Sequence, residues 1–327
     1  MTDAGGAGAH PIALLVNPAA TGVHSGLTEE AERVLGPLGL IAVLTTRERG
    51  HAAELAHLAM DTHGALVVVT LGGDGTAAEA AGALVGTGAA LAPMPAGSTN
   101  VFARALGWPR DCHAAIASLA RALAHGPHPE PVTVGRIDAD GDVRIFCVNA
   151  GAGIDAEAAH TVEHHPELKR RIGQGWFGAA VVLAAARSHR ATEIEVSVDG
   201  GTPFPLASIS VACSRPYAFL GNRPFDLVPE AGEHGGLGWM GALRAGVTGA
   251  AVASAGALTG AWHLDSPRLA HGSAASRLVI TCAEGVLLQA DGEPLGRHHR
   301  VEITPAEGLL VLKGQPPRRD DTGGAGR

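Results

Sequence analysis

The chain has 327 residues, enough for two domains of ordinary size, each with its own core. A net charge of −8 with only 17% charged residues excludes a nucleic-acid binder by bulk charge and a disordered acidic chain. The four cysteines, Cys112, Cys147, Cys213 and Cys282, form no CxxC pair, which argues against zinc ribbons and disulfide scaffolds and for a reducing cytoplasm.

Met1 to His10 is rich in Gly and Ala but lacks a basic start and a long apolar core, so no secretory signal is expected. From Ile12 to about Ala124 short apolar runs alternate with helix-like stretches. Strands are expected at Ile12–Val16, Leu40–Leu44, Leu66–Thr70 and Ala89–Ala92. Helices are expected at Glu29–Leu35, His51–Met60, Ala77–Leu84 and Ala114–Leu123, with Thr28 capping the first. That alternation predicts a mainly parallel sheet with right-handed crossovers.

The third strand runs into Leu71-Gly72-Gly73-Asp74-Gly75-Thr76, with Glu79 on the helix beyond. Glycines let the backbone turn sharply and let main-chain N–H groups approach an anion, and a helix N-terminus adds a favourable field. Asp74 would repel a bare phosphate, so the motif makes most sense with a divalent cation between them, as in a magnesium nucleotide. The plain alternative is a tight strand-to-helix turn. One βα unit later Pro95-Ala96-Gly97-Ser98-Thr99-Asn100 supplies a second glycine loop with two hydroxyls and an amide. Loops at the carboxyl ends of neighbouring strands converge on one crevice, so two such loops can grip one ligand. The only lysines, Lys169 and Lys313, lie far from both loops, which removes a Walker or protein-kinase lysine.

His125-Gly126-Pro127-His128-Pro129-Glu130-Pro131 cannot continue a helix and reads as a domain hinge. Beyond it, Val132–Ile137, Val143–Val148, Ile194–Val198, Ile209–Ala212, Leu278–Thr281 and Val286–Gln289 predict a β-rich second domain, interrupted by a helix near Glu167–Arg187. Gly175–Ala186 is too short to span a bilayer, and the charge-free run Ala245–Trp262 is diluted by small and hydroxyl residues, so both are expected as buried helices. The expected fold is therefore an α/β N-terminal domain with a mainly parallel sheet, then a β-rich, sandwich-like C-terminal domain. The tail from Gln315 is expected to be disordered, as are residues 1–10.

With Val16-Asn17-Pro18 after the first strand, Thr46 and the Arg47–Ala52 stretch, Asn149-Ala150-Gly151-Ala152-Gly153-Ile154-Asp155-Ala156, and Gln289-Ala290-Asp291-Gly292-Glu293, the two glycine loops form a series. In this order they resemble the diacylglycerol kinase catalytic-domain family, which includes bacterial lipid kinases, sphingosine kinases and ceramide kinases. The likeness runs from about Ile12 to Leu312. It implies an NAD-kinase-like or diacylglycerol-kinase-like α/β domain at 11–126 that binds nucleotide, with 306–314 returning to it, and a lipid-substrate domain at 131–305.

The resemblance implies an ATP-dependent lipid kinase that requires Mg²⁺. Gly72, Gly73, Gly75, Thr76 and Gly97 would cradle phosphate, with Asn17, Thr46, Glu79, Ser98 and Asn100 in the nucleotide site. Asp74 would hold Mg²⁺. Glu293 would accept the proton of the lipid hydroxyl, Asp291 would support it or the metal, and Asp155 would lie near the lipid headgroup. Set against these, Glu79 could be a solvated first-turn glutamate, Asp291-Gly292 a surface turn and Asp155 an Asp in a glycine-rich turn; Arg104, four residues beyond Asn100, could steady phosphate or be an exposed helix arginine. Three departures are visible: Val101 stands where many bacterial members have an acid, Gly235 replaces an Asp of a structural metal site, and Ile154 replaces an aromatic.

The implied partners are a membrane lipid substrate met by transient contact with the membrane surface, a second copy of the chain as a candidate, and no nucleic acid. The location is cytoplasmic, peripheral to the inner face of the membrane. Lys169-Arg170-Arg171 with Arg187, Arg190, Trp176 and Phe177 could touch lipid, although a solvated helix is the stronger reading, and His160, His164 and His165 read as surface histidines. Diacylglycerol is the first candidate substrate and a sphingoid base the second; an NAD kinase, which also uses GGDG, and an idle nucleotide or lipid sensor are the alternatives.

Overall fold

The structure is a computed structural model and describes residues 10–164, 193–232 and 235–314. The chain divides into two compact units, one holding residues up to Pro131 and from Leu310 onward, the other Val132–Leu309.

In the first unit, β1 (Ile12–Val16), β2 (Leu40–Thr45), β3 (Val67–Gly72) and β4 (Ala90–Pro95) pair in parallel in the order β2-β1-β3-β4. Leu310–Val311 returns as a fifth parallel strand beside Ala90 and Leu91. Every residue of β3 and β4 is buried, as expected for strands covered by helices on both faces, whereas β2 alternates because it is an edge. Pro93 and Pro95 lie beyond the short stretch of β4 that the fifth strand pairs, so no ladder hydrogen bond is lost on that side.

The helices are α1 (Ser25–Leu35), α2 (His51–Asp61), α3 (Asp74–Leu84), the short α4 (Val101–Ala105) and α5 (Cys112–Ala124). α1 packs on α5 and α2 on α3, the pairing that right-handed crossovers produce for this strand order. Two helix starts differ from expectation. α1 begins four residues early, capped by His24, whose Nδ1 accepts from Leu27 N, and not by Thr28. α3 begins at Asp74 because Gly73 is already its extended N-cap, which puts the acidic residue of the glycine motif inside the first turn.

In the second unit, β5 (Glu130–Ala139), β6 (Asp142–Phe146), β7 (Asn149–Ala152), β8 (Ile194–Val198), β9 (Phe204–Leu206) and β10 (Ser208–Ala212) are followed by a small hairpin, β11 (Ala218–Leu220) and β12 (Arg223–Phe225). β13 (Leu237–Ala242), β14 (Leu269–Ala275), β15 (Leu278–Ala290) and β16 (Glu293–Val311) complete it, with helices α6 (Ile154–His164) and α7 (Val247–Thr259). The ladder runs β14-β13-β10-β7-β15-β16 and continues through β5 to β6, while β8 and β9 extend from β15. One core takes Ile137 and Phe146 from one end of this path and Trp239 from the other, with Ile209, Leu288 and Val301 between, so the ladder curls around it.

Leu278–Thr281 and Val286–Gln289 are one strand, not two, because the chain passes the Gly285 irregularity without leaving the ladder. The expectation for Ala245–Trp262 is corrected in part. One face of α7 packs through Ala253 and Ala257 on Met240, Leu269 and Tyr217, and the other face is exposed. No helix among the described residues is long and apolar enough to cross a membrane. The expected helix near Glu167–Arg187, the Lys169-Arg170-Arg171 cluster with Trp176, Phe177, Arg187 and Arg190, His165, and nearly all of both tails lie outside the described residues.

Gly135 on β5 pairs with Phe146, whose ring is fully buried over it; a Cβ at Gly135 would sit 1.9 Å from Phe146 Cζ. Gly135→Ala should therefore lower stability by about 1–3 kcal/mol through overpacking, read as a lower urea midpoint with an unchanged slope.

Candidate active site

All four parallel strands of the first unit deliver their following residues to one edge of the sheet. The strand order reverses between β1 and β3, and an open α/β sheet leaves a crevice at such a reversal. Asn17 follows β1 and Thr76 lies in α3, and the Asn17 amide nitrogen donates to Thr76 Oγ1 at 2.8 Å across that reversal. Thr46 is buried one strand away, its N–H held by Val16 O at 2.9 Å.

The two glycine loops touch. A Cβ on Gly97 would fall 2.5 Å from Gly73 Cα and 2.9 Å from Asn100 Oδ1, and one on Gly72 would fall 2.7 Å from Thr76 Oγ1. Only glycine permits both approaches. The N-terminus of α3 carries no side-chain cap at Gly73, so its first N–H groups point into this junction as anion donors.

Several expected ligands are committed to building the loops. Asn100 adopts φ 52° and folds back, its Oδ1 accepting from Gly97 N at 2.7 Å and its Nδ2 donating to Gly97 O at 2.8 Å. Its amide is thus occupied in shaping the loop, while Ser98 is exposed on the tip. Asp74 Oδ1 accepts from Phe102 N at 2.9 Å and Oδ2 from Thr99 Oγ1 at 3.0 Å, which fastens the first glycine loop to the start of α4. Burial raises the Asp74 carboxyl above its ordinary range, and these donors only partly offset it. Glu79 on α3 is bonded to the start of the neighbouring helix, not left solvated. Its two oxygens accept from Gly50 N at 2.8 Å and Ala52 N at 3.1 Å, so it caps α2.

The second unit gathers a buried polar cluster. Side chains alternate across a strand, so while Ala150, Ala152, Leu288 and Ala290 enter the core, Asn149, Gly151 and Gln289 face α6. Gln289, Gly151 and Ser210 form one cross-strand row. Asp155, in the first turn of α6, rests on that row: a Cβ at Gly151 would lie 2.2 Å from Asp155 Oδ2. Gln289 Nε2 donates to Asp155 Oδ2 at 2.7 Å and to Asn149 Oδ1 at 3.0 Å, and the Tyr217 hydroxyl donates to the same carboxylate. Burial pushes the Asp155 carboxyl up, against the pull of Tyr217 and Gln289; burial and the nearby Asp155 charge push Tyr217 well above its usual range.

Gln289 also joins this cluster to the Asp291-Gly292 turn, because its Oε1 accepts from Gly292 N at 2.8 Å. Asp291 and Gly292 have φ 49° and 80°, the paired left-handed conformations of a two-residue hairpin between β15 and β16. The Asp291 carboxylate accepts from Cys147 N, Val148 N and Asn149 N at 2.7, 2.8 and 3.0 Å. Its place is thus a backbone anchor, with Glu293 the next carboxylate, at the start of β16. Tyr217 and Ser210 were not singled out from the sequence. Tyr217 is the only tyrosine of the chain, a signal that composition alone could have raised.

Residues 11–128 match the model of the diacylglycerol kinase catalytic domain. That segment belongs to the diacylglycerol kinase catalytic-domain family. A structure from Bacillus anthracis str. Sterne, provisionally described as a diacylglycerol kinase, superposes with a TM-score of 0.73 at 20% identity, covering 97% of this chain and 99% of that one. A second so described gives 0.69 at 22% identity, over 93% and 97%, and a third, described as a diacylglycerol kinase, gives 0.63 at 18% identity, over 94% and 97%. At such identities these show the shared two-part fold. No curated protein matches the chain. The domain match supports a lipid kinase family, whose members in general use ATP and a divalent cation.

Asp155 supplies a test of the second unit's polar cluster. Its native carboxyl holds a proton to higher pH than the unfolded value near 3.8, so above that value the native state binds more protons and stability falls as pH rises. Asp155→Asn removes this dependence. The melting temperature of the variant relative to wild type should therefore rise from about pH 4 to about pH 7, measured by scanning calorimetry; a flat difference would show Asp155 unperturbed.

Proposed function

We propose that the protein transfers the γ-phosphoryl group of ATP to a lipid hydroxyl, with diacylglycerol as the first candidate acceptor. The observation that carries the reading is the contact of the Gly72-Gly73 and Gly97 loops beside the uncapped start of α3. A Cβ on Gly97 would force the loops apart, so glycine there keeps the backbones together beside the start of α3, whose first N–H groups are proposed to supply the donors for phosphate.

The donor set also suits magnesium carried by the nucleotide. No group of three or more metal-ligating side chains occurs among the described residues, and Mg²⁺ is commonly held by one or two carboxylates together with phosphates and water. Asp74 is the carboxylate of the loop junction; a cation beside it would relieve the burial that raises its carboxyl. Bound Mg·ATP supplies the transferable phosphoryl group and neutralises its charge.

The residues of the chain then have the following parts. The α3 N–H groups and the Asn17–Thr76 pair hold the phosphates, and Asn100 and Thr99 keep the loops in register. The lipid oxygen forms a bond to the γ-phosphorus as the bond to the β-phosphate oxygen breaks, releasing ADP. Since Asp291 is bonded to three backbone N–H groups, Glu293 is the residue of the turn proposed to take the proton of the lipid hydroxyl. Asp155, held by Tyr217 and Gln289, is proposed to face the lipid headgroup region, with peripheral contact at the inner face of the membrane.

The deciding assay follows ATP consumption with Mg²⁺ on diacylglycerol, sphingosine, ceramide and NAD. A lipid signal that falls by about 10²-fold or more in Glu293→Gln, with ATP affinity retained, is the expected result. NAD phosphorylation would reassign the substrate, and ATP binding without transfer to any acceptor would leave a sensor. Gly97→Ala should instead abolish the thermal stabilisation that Mg·ATP confers, because its Cβ would drive the two loops apart; unchanged stabilisation would place the nucleotide elsewhere.

A further inference from the structure

The charge-free stretch 245–262 contains α7, whose inner face, with Gly249, Ala253, Gly256 and Ala257, is buried. Its outer face is a second apolar stripe. Val247, Ala251, Ala255 and Leu258 are exposed, and steps of four, four and three residues keep them within about 80° of one another around a helix. Trp262 follows at 48% exposure, and Leu243 precedes the helix at 43%. Of the nine large hydrophobic side chains most exposed among the described residues, Leu243, Val247, Leu258 and Trp262 are four, so this is a patch rather than scatter.

The surroundings indicate the occupant. Exposed Arg244 and Arg268 flank the N-terminal end of α7, joined through Leu243 N, which donates to Arg268 O at 3.0 Å. No carboxylate occurs from Leu243 to Leu264, in a chain whose net charge is −8; Asp265 is the first. The Trp262 indole N–H donates to Thr259 Oγ1 at 2.8 Å, so the ring can enter an apolar phase without stranding its donor. A helix of 13 residues is about 20 Å long and offers at most about 200 Å² on one face, against the roughly 800 Å² per partner of a stable protein interface. A shallow apolar stripe with cations at one end suits a lipid surface.

We propose that the outer face of α7, with Leu243 and Trp262 at its ends and Arg244 and Arg268 beside it, docks on an anionic bilayer. This names the membrane-contacting surface of the lipid kinase read above and rests on that reading for its purpose. The helix would lie in the plane of the interface, its stripe among the upper acyl chains and its arginines at the headgroups.

The test is co-sedimentation of the full chain with vesicles of phosphatidylcholine mixed with phosphatidylglycerol, and with phosphatidylcholine alone. Wild type should bind the mixed vesicles better, more weakly as salt rises. Leu258→Glu with Trp262→Glu should weaken that binding at least about tenfold while the melting temperature holds, since both side chains are exposed. Arg244→Ala with Arg268→Ala should remove the preference for the anionic vesicles. Unchanged binding in the glutamate variant, or no vesicle binding by wild type, overturns the proposal. So does a wild-type dimer that the glutamate variant dissociates, which would make the face an interface between copies. Phosphorylation of detergent-dispersed diacylglycerol by the same preparations separates the two readings: silence there with vesicle binding still lost in the variant removes the kinase and keeps the docking face.

Discussion

The closeness of two backbones organises the first unit. Gly97 approaches Gly73 until it has no room for a Cβ of its own, and the hydrogen bonds around the two loops hold that approach. Asn100 folds back to fix the second loop, Asp74 ties the first to the start of α4, and Asn17 ties β1 to α3. The donors that would meet a phosphate are main-chain N–H groups, whose positions depend on the loop path and not on side-chain rotamers. A site built this way tolerates the absence of a phosphate-binding lysine, and it concentrates its vulnerability in a few glycines.

Carboxylates in this protein serve as fasteners more often than composition suggests. Glu79 holds the start of α2, Asp291 gathers three N–H groups ahead of β7, and Asp74 holds α4. In each case an anion satisfies donors that a helix start or a turn would otherwise leave unpaired. Asp155 differs, because its partners are side chains, Tyr217 and Gln289, and Gln289 reaches on to the turn that carries Glu293. One amide thus connects the buried carboxylate with the hairpin, which makes this cluster of the second unit a single polar unit rather than two separate acidic residues.

The parallel sheet was legible because buried strands and amphipathic helices leave strong periodic signals, and β1 matches its expected range residue for residue. The hairpin at Asp291-Gly292 was legible for a local reason as well: both positions need positive φ. Helix starts were less visible. Gly73 gives α3 no side-chain cap, and His24 is an unusual cap for α1, so the sequence signal pointed several residues downstream in both cases. Tyr217 and Ser210 were hidden for another reason, since they reach Asp155 and the Gly151 row only after separate strands pair.

By itself the sequence determined the strands and helices of the first unit, the two glycine loops and the family likeness, because these depend on residues near one another in the chain. Tertiary structure alone decided which polar groups are consumed in building the loops and turns. Glu79, Asn100 and Asp291 find their donors in loop and helix-start backbone that the fold shapes, and the exposed stripe of α7 exists only because its other face found Met240 and Leu269. A side chain's chemistry is written in its type, but its availability depends on partners that folding brings from far along the chain.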